Sequence, residues 1–244
     1  ESPNDVNKEC SSNVGGCSHP CEIQQASDLV LSLPMSEESG VIVTDTSGHE
    51  HSGRVLGDFE RLDSPCGNAL GFNGSNTRVQ IPNSLASLSG NVVTLEAWVY
   101  VSSEETTHYP HLLAGGNNNY RLSLSPGENG LRLLWRLEID GTIHSVWYAP
   151  TSLPTEQWFH LAGTYDGNEM VLFLNANPVG RKTVSGRIDP AQDLELGSWD
   201  QIEQSFFTGA LDEIRVWDTV RAPQEICNDS GGRWLNEDCT YPTL

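Results

Sequence analysis

Lysine is almost absent from the 244-residue chain: Lys8 and Lys182 are the only two, and all other basic residues are arginines. The chain has 13 basic and 33 acidic residues, a formal net charge of −20. A surface of this charge repels phosphate backbones and anionic lipids, so we expect no nucleic-acid partner and no membrane-surface partner. It favours cations instead, calcium among them.

Long apolar runs are also missing. No uninterrupted stretch approaches the ~20 residues of a membrane helix, so we expect no membrane insertion. Residues 1–5 are polar and acidic and do not form a signal peptide. Because the chain is rich in cysteine outside its apolar segments, we interpret it as secreted, with a leader already removed.

Helical periodicity is confined to one short turn at residues 222–226. Short apolar runs recur along the chain instead, separated by Gly, Asn, Pro and Ser. Within residues 94–101 apolar side chains occupy every second position, which is typical of a strand. Asp140-Gly141 and Asp166-Gly167 each lie between two such runs and predict hairpin turns. Examples of the predicted strands are residues 29–33, 41–45, 78–81, 93–101, 120–124, 131–138, 142–148, 158–165, 170–174 and 211–217.

This pattern predicts an all-β fold, a two-sheet antiparallel β-sandwich of the jelly-roll type. Residues 1–27 are polar and lack periodicity, and we interpret them as a Cys-rich N-terminal extension. The sandwich is predicted to span residues 28–226, and residues 227–244 form a short disulfide-held C-terminal tail.

Six cysteines lie outside the predicted strands, and an even number in such positions indicates disulfides. A zinc site is the weaker alternative, because no CxxC pair exists and His19 is the only histidine near the N-terminal cluster. We predict that the two C-terminal cysteines close a local loop and that the cysteine at position 66 pairs with the N-terminal cluster. The six are Cys10, Cys17, Cys21, Cys66, Cys227 and Cys239.

Several motifs follow one another in the order of a known family. They are DTSGH at 45–49, ALGFNG at 69–74 with VQIP at 79–82, TLEAWV at 94–99, WFHLAGTYDG at 158–167, MVLFLN at 170–175 and GALDEIRVW at 209–217. Together they resemble the laminin-G-like jelly roll of the concanavalin A-like lectin and glucanase superfamily. The resemblance implies two antiparallel sheets packed face to face, extracellular binding and often a calcium ion. It does not determine the ligand, because one fold supports many functions.

A weaker likeness is to the pentraxins, which share the sandwich. Residues 115–119 and 197–204 fall where pentraxins carry their calcium and ligand loops. The positions of the pentraxin core disulfide are Glu96 and Ala162 here, so we do not expect a true pentraxin.

By resemblance, a structural calcium ion is expected between an early loop and a late strand. Calcium takes six to eight oxygen ligands. We predict Asp45 and Asp212 as side-chain ligands, with backbone carbonyl groups near Ser47 and Gly74. In the alternative interpretation Asp45 starts an Asx turn and Asp212 makes only a hydrogen bond.

Two loops, residues 115–119 and 198–204, contain the residue types that bind sugars: amides and carboxylates for hydroxyl groups, and an indole for the apolar ring face. In the alternative interpretation these loops are ordinary turns and the indole covers the core. The predicted ligand-binding residues are Asn117, Asn118, Asn119, Trp199, Asp200, Gln201 and Glu203.

Five further tryptophans belong to predicted strands. We expect Trp98, Trp158 and Trp217 to pack in the core or against a sheet. Trp135 and Trp147 flank the Asp140-Gly141 turn and are second-rank candidates for stacking on a sugar.

The carboxylate motif of the superfamily's glucanases is incomplete in this chain. Glu138-Ile139-Asp140 is its nearest match, but a second glutamate does not follow, and retaining hydrolysis needs a carboxylate pair. We therefore predict a binding module and not an enzyme: a secreted, lectin-like protein that recognises a carbohydrate or glycoprotein through edge loops, with calcium. An adhesion or matrix module with a protein partner and a divergent glycoside hydrolase stay open as alternatives. So does a homo-oligomer, because multivalency strengthens lectin binding.

Overall fold

The computed structural model describes residues 21, 23, 26–88, 90–102, 110–115, 119–127, 130–151, 153–198 and 205–241. Strand accounts for 54% of it and helix for 4%, which confirms the predicted all-β class. The strands are β1 (Leu29–Leu33), β2 (Ile42–Val43), β3 (Gly53–Leu56), β4 (Glu60–Ser64), β5 (Gly67–Asn73), β6 (Arg78–Ile81), β7 (Val93–Val101), β8 (His111–Gly115), β9 (Tyr120–Gly127), β10 (Gly130–Ile139), β11 (Thr142–Tyr148), β12 (Trp158–Tyr165), β13 (Glu169–Leu174), β14 (Asn177–Thr183), β15 (Leu194–Leu196), β16 (Thr208–Trp217), β17 (Arg233–Leu235) and β18 (Asp238–Thr240). Helix α1 (Pro223–Asp229) extends the short turn that the sequence predicts.

Two antiparallel sheets form the sandwich. Sheet A has the order β14-β13-β12-β7-β16-β5-β4, and β1 pairs with β16 beside this path. Sheet B has the order β11-β10-β9-β8-β15-β6-β3-β2, and β17 and β18 form a separate hairpin. This arrangement confirms the predicted two-sheet architecture. Among the described helices, none is long and apolar enough to cross a membrane.

The main core fills the space between the two sheets. Leu95, Ala97 and Val99 of β7 point into it from sheet A, as the alternation in the sequence predicts. From sheet B, the side chain of Trp135 is fully buried, and its Nε1 donates a hydrogen bond to the carbonyl oxygen of Thr164 at 3.0 Å. Trp135 is therefore a core residue and is not available for sugar stacking.

The turn between β10 and β11 follows the predicted hairpin chemistry. Asp140 and Gly141 have φ angles of 48° and 73°, and Ile139 pairs directly with Thr142. Two consecutive positive φ angles are the signature of the two-residue turns that Asp-Gly favours. The turn places the residues of β10 that point away from the core next to those of β11.

The outer face of sheet A is covered by the end of the chain. Ile226 and Cys227 of α1 pack against Ala162 and Phe173, and Tyr241 packs against Trp98. As a result Trp98 and Trp217 are buried on the outer side of a sheet, and Trp158 is partly buried. The prediction that these three tryptophans pack against the sheet is confirmed.

Two disulfides hold this cover in place. Cys227 pairs with Cys239 across 12 residues, and Cys21 pairs with Cys66 across 45. Both pairings confirm the sequence prediction for these cysteines. Cys10 and Cys17 lie outside the described residues. The boundaries predicted at residues 27 and 227 stay predictions.

Candidate functional site

The outer face of sheet B consists of the strand residues that point away from the main core. In β10, Leu133, Trp135 and Leu137 face the core, so the alternate residues Arg132, Leu134, Arg136 and Glu138 face outward. The register places Trp147 opposite Leu134, Ser145 opposite Arg136 and Ile143 opposite Glu138.

Trp147 is the aromatic residue of this face. Its side chain is 44% exposed, and the guanidinium carbon of Arg132 lies 4.6 Å from the indole centroid. The same guanidinium donates a 3.4 Å hydrogen bond from Nη2 to Oγ of Ser125. The guanidinium therefore covers part of one face of the indole, and the rest of the half-exposed ring is an apolar surface next to a hydrogen-bond donor.

Small polar side chains lie on β9, on the far side of β10 from the indole. Register places Ser125 opposite Arg132 and Ser123 opposite Leu134, and both serines are buried. Nε of Arg121 donates a 2.9 Å hydrogen bond to Oγ of Ser123. Strands β9 and β10 thus carry hydroxyl and guanidinium groups on the sheet face that also carries the indole of β11.

Arg136 completes this arrangement. Burial lowers the pKa of its guanidinium, and the neighbouring Glu138 opposes the shift. Its Nε is buried and has no hydrogen-bond partner. A buried donor of this kind is uncommon in folded proteins, since most are hydrogen-bonded.

Of the predicted sugar-binding residues, the structure describes Asn119. It is 8% exposed, and its Nδ2 donates a 3.1 Å hydrogen bond to the carbonyl oxygen of Pro190. This contact gives Asn119 a role within the fold. Asn117, Asn118, Trp199, Asp200, Gln201 and Glu203 lie outside the described residues, and their assignment stays a prediction.

The described residues that flank the two predicted loops lie at opposite ends of β8. Gly115 pairs with Leu194 at one end, whereas at the other end the backbone N–H of His111 donates to the carbonyl oxygen of Ser205. The strand between these ends spans roughly 13 Å at 3.3 Å per residue. The sequence spacing alone therefore gave no reason to expect that the two loops form one site.

Asp45, the first predicted calcium ligand, is held within its own loop. Oδ1 accepts hydrogen bonds from the backbone N–H groups of Ser32 at 3.0 Å and Ser47 at 2.9 Å. Oδ2 accepts from Oγ of Ser47 at 2.8 Å and from the N–H of His51 at 2.9 Å. Burial raises the pKa of Asp45, but these hydrogen bonds outweigh it and hold the pKa below its ordinary value. The bond to Ser47 is that of an Asx turn.

Asp212, the second predicted ligand, is buried in sheet A. Its Oδ2 accepts a 2.5 Å hydrogen bond from Oγ of Ser64, and its Oδ1 accepts from the N–H of Glu213. Burial, and then the charge of Glu213, raise the pKa of Asp212 well above its ordinary value. A hard cation prefers an ionised carboxylate, so surroundings that favour the neutral carboxyl group weaken Asp212 as a ligand.

The two predicted side-chain ligands fit a shared ion poorly. Both oxygens of Asp45 already accept hydrogen bonds, and burial favours the neutral form of Asp212. No contact among the described residues joins Asp45 to Asp212. Calcium binding by Asp45, Ser47, Gly74 and Asp212 stays a prediction that rests on the resemblance.

Glu138 and Asp140 do not form a carboxylate pair on one strand face. Glu138 points outward from β10, whereas β10 ends at Ile139 and Asp140 lies in the hairpin turn. The observation agrees with the interpretation of Asp140-Gly141 as a turn.

A buried ionic cluster lies beneath the C-terminal cover, and sequence reasoning did not find it. Oε1 of Glu96 accepts a 2.7 Å hydrogen bond from Nε1 of Trp217, and its Oε2 lies 3.8 Å from Nε2 of His160. Arg215 donates to the carbonyl oxygens of Asp229 and Cys21, both at 2.6 Å. The available signal was the presence of charged residues inside otherwise apolar strand segments.

The cluster ties the cover to sheet A. Burial raises the pKa of Glu213 to about 7, although its ion pair with Arg215 opposes the shift. The two main-chain carbonyl groups that Arg215 contacts belong to the end of α1 and to the Cys21–Cys66 disulfide. We therefore assign a structural role to these groups.

The model of the concanavalin A-like lectin/glucanases superfamily matches residues 73–227, which is more than half of the chain. No curated protein matches the chain.

Several solved structures share the fold. The receptor binding domain of botulinum neurotoxin C/D mosaic serotype superposes with a TM-score of 0.65 at 15% identity, covering 82% of this chain and 50% of the other. Domain 4 of AbnA, a GH43 extracellular arabinanase from Geobacillus stearothermophilus in complex with arabinotriose, gives 0.64 at 20% identity, covering 84% and 98%. The binding domain of Paraclostridial Mosquitocidal Protein 1 gives 0.65 at 17% identity, covering 83% and 52%. The chain thus spans about half the length of the two toxin domains.

Proposed function

Because the chain belongs to the concanavalin A-like lectin/glucanases superfamily, we propose that it is an extracellular module that binds a carbohydrate or glycoconjugate. Two kinds of observation support the proposal. The two disulfides are typical of proteins outside the cytosol. The similar solved structures are binding domains, one of them in complex with arabinotriose.

The observation that carries the proposal is the half-exposed indole of Trp147 on the outer face of sheet B. Arg132 contacts the indole, and Ser145 lies two residues before Trp147 on the same face of β11. A sugar presents an apolar ring face and a rim of hydroxyl groups, so it needs an aromatic surface with donors and acceptors around it. This part of sheet B supplies both.

A glycan array tests the proposal, with the folded protein applied once in millimolar calcium and once in a chelator. We expect a defined set of binders for the wild type and loss of that set for Trp147→Ala, because the ring face loses its stacking partner. Leu235→Ala is the matched control: Leu235 is also an exposed apolar residue, at 50% exposure, but it belongs to the β17–β18 hairpin.

The chelator arm tests the predicted calcium ion separately. Binding that disappears with the chelator supports calcium in the site, and binding that persists leaves the carbohydrate function intact without it. A blank array under both conditions overturns the proposal and favours an adhesion module with a protein partner.

A further inference from the structure

Positive charge is concentrated on the outer face of sheet B, although the chain as a whole carries a net charge of −20. Five of its 13 lysines and arginines lie at outward positions of this sheet, whereas the same positions contain two glutamates, Glu138 and Glu195. The five are Arg54, Arg78, Arg121, Arg132 and Arg136. They form two groups on this face: Arg121, Arg132 and Arg136 on the paired strands β9 and β10, and Arg54 and Arg78 on the paired strands β3 and β6, with β8 and β15 between the groups.

Two of these arginines, Arg132 and Arg136, form no ion pair with the described residues. Elsewhere in the described structure, arginines pair with carboxylates: Arg181 with Glu169 at 2.8 Å and Arg221 with Asp229 at 2.6 Å. Acidic residues are abundant in this chain, so the lack of an ion pair between Arg132 or Arg136 and any described carboxylate distinguishes these two arginines from Arg181 and Arg221.

The donors of both arginines are incompletely used. Arg132 makes one long hydrogen bond, to Ser125, and its Nε has no partner. The side chain of Arg136 makes no hydrogen bond with the described residues, and its Nε is buried. Guanidinium groups form their strongest contacts with planar or tetrahedral oxyanions, in a forked geometry.

We infer that the ligand is an acidic carbohydrate, whose carboxylate or sulfate groups bind Arg136 and Arg132 while one of its sugar rings stacks on the part of the Trp147 indole that Arg132 leaves exposed. The inference rests on the proposed carbohydrate-binding function and adds the chemical class of the ligand. Arg132 and Arg136 are four residues apart on β10, roughly 13 Å along the strand. A monosaccharide does not cover that distance, so the site fits an oligosaccharide.

Calorimetric titration with matched oligosaccharide pairs tests the inference. One pair is tetragalacturonic acid and its neutral methyl ester, and the other is a sulfated dextran oligomer and its unsulfated parent. We expect the acidic member of at least one pair to bind about tenfold or more tightly than its neutral partner, the factor that one charge-assisted contact typically supplies. The pair that shows the difference identifies carboxylate or sulfate as the recognised group.

Single-residue variants test whether the outer face of sheet B causes the difference in affinity between acidic and neutral oligosaccharides. Arg136→Gln is expected to weaken binding of the acidic ligand about tenfold and to leave the neutral one nearly unchanged, and Arg136→Lys is expected to recover part of the loss. Arg181→Gln is the control: it removes the same charge from β14 of sheet A. Thermal unfolding of each variant verifies that the protein is folded.

The outcomes separate this inference from the proposed function. Equal affinity for acidic and neutral members, or an unchanged affinity in Arg136→Gln, overturns the inference and leaves carbohydrate binding in place. If neither these oligosaccharides nor the glycan array gives any binding, both the inference and the proposed function are wrong.

Discussion

Glu96 lies at the centre of β7, where its carboxyl group is fully buried between Trp217 and His160. Burial, and then the charge of Asp229, raise its pKa from 4.5 to about 7. As the pH rises, the unfolded chain releases this proton near the ordinary pKa of 4.5, whereas the folded chain keeps it until about pH 7. The stability that neutral Glu96 provides is therefore fully present below about pH 4.5 and is lost between about pH 4.5 and 7. The loss is about 3 kcal/mol.

Glu96→Gln is expected to remove this pH dependence. Glutamine keeps an oxygen to accept the hydrogen bond from Trp217 and cannot ionise. Urea unfolding at pH 5 and pH 8 should show a variant that gains roughly 2 to 3 kcal/mol on the wild type between the two values. His160, whose pKa burial lowers to about 3, has the opposite dependence, but it is present in both proteins and cancels in the comparison.

Glu60→Gln is the control for this residue, because Glu60 is an exposed glutamate on β4. Its unfolding free energy should follow that of the wild type at both pH values. A Glu96→Gln protein with the wild-type pH dependence would show that Glu96 ionises freely in the folded state.

At the scale of elements, the sequence predicted part of the strand pattern: the ten segments named from it overlap described strands, whereas none was named for β3, β4, β5, β8, β14, β15, β17 or β18. The alternation at residues 94–101 and the Asp-Gly turns are local features, and both β7 and the β10–β11 hairpin follow them. The sequence did not show in the same way which residues on the outer faces of the sheets are exposed to solvent and which are buried. Glu96 and Trp98 are buried because α1 and the tail cover sheet A, and this packing joins parts of the chain that are more than 100 residues apart.

The C-terminal cover of sheet A, which consists of α1 and the described part of the tail (residues 223–241), provides a prediction at this scale. Trp98 donates a 3.2 Å hydrogen bond from Nε1 to the carbonyl oxygen of Ser230, and the Cys227–Cys239 disulfide closes the segment around it. Replacing both cysteines by serine should lower the free energy of opening the tail by about 3 kcal/mol, the usual effect of a short closed loop. Amide hydrogen exchange should then accelerate at residues 223–241 and in β7, with little change in β9 and β10.

Strands β9 and β10 belong to sheet B and are the internal control for that measurement. A uniform acceleration over both sheets would contradict local opening, since it would mean that the tail unfolds only together with the sandwich. Leu235→Ala, a substitution on the same hairpin that keeps the disulfide, should leave the exchange pattern unchanged.

For the whole molecule, net charge gave an incomplete description of its partners. The composition predicts an acidic surface that avoids anions, yet the sandwich places five arginines on one sheet face. Those arginines are distributed from β3 to β10, and only the strand order places them on the same face. The outer face of sheet B was therefore not predictable from local motifs, whereas the loops at residues 115–119 and 198–204 were chosen by their residue types and by resemblance to a family.

Calcium acts on the whole molecule whether or not it has a site, because any cation screens a net charge of −20. We expect calcium to raise the thermal midpoint of the wild type and of Asp45→Asn by the same amount, and sodium chloride of equal ionic strength to reproduce most of that rise. The physical reason is that both oxygens of Asp45 already accept hydrogen bonds from Ser32, Ser47 and His51. Asp45→Asn should still be less stable than the wild type in calcium and in chelator alike, since an amide cannot accept on both sides. A stabilisation that calcium alone provides and that Asp45→Asn abolishes would instead establish Asp45 as a ligand and restore the calcium site expected from the sequence.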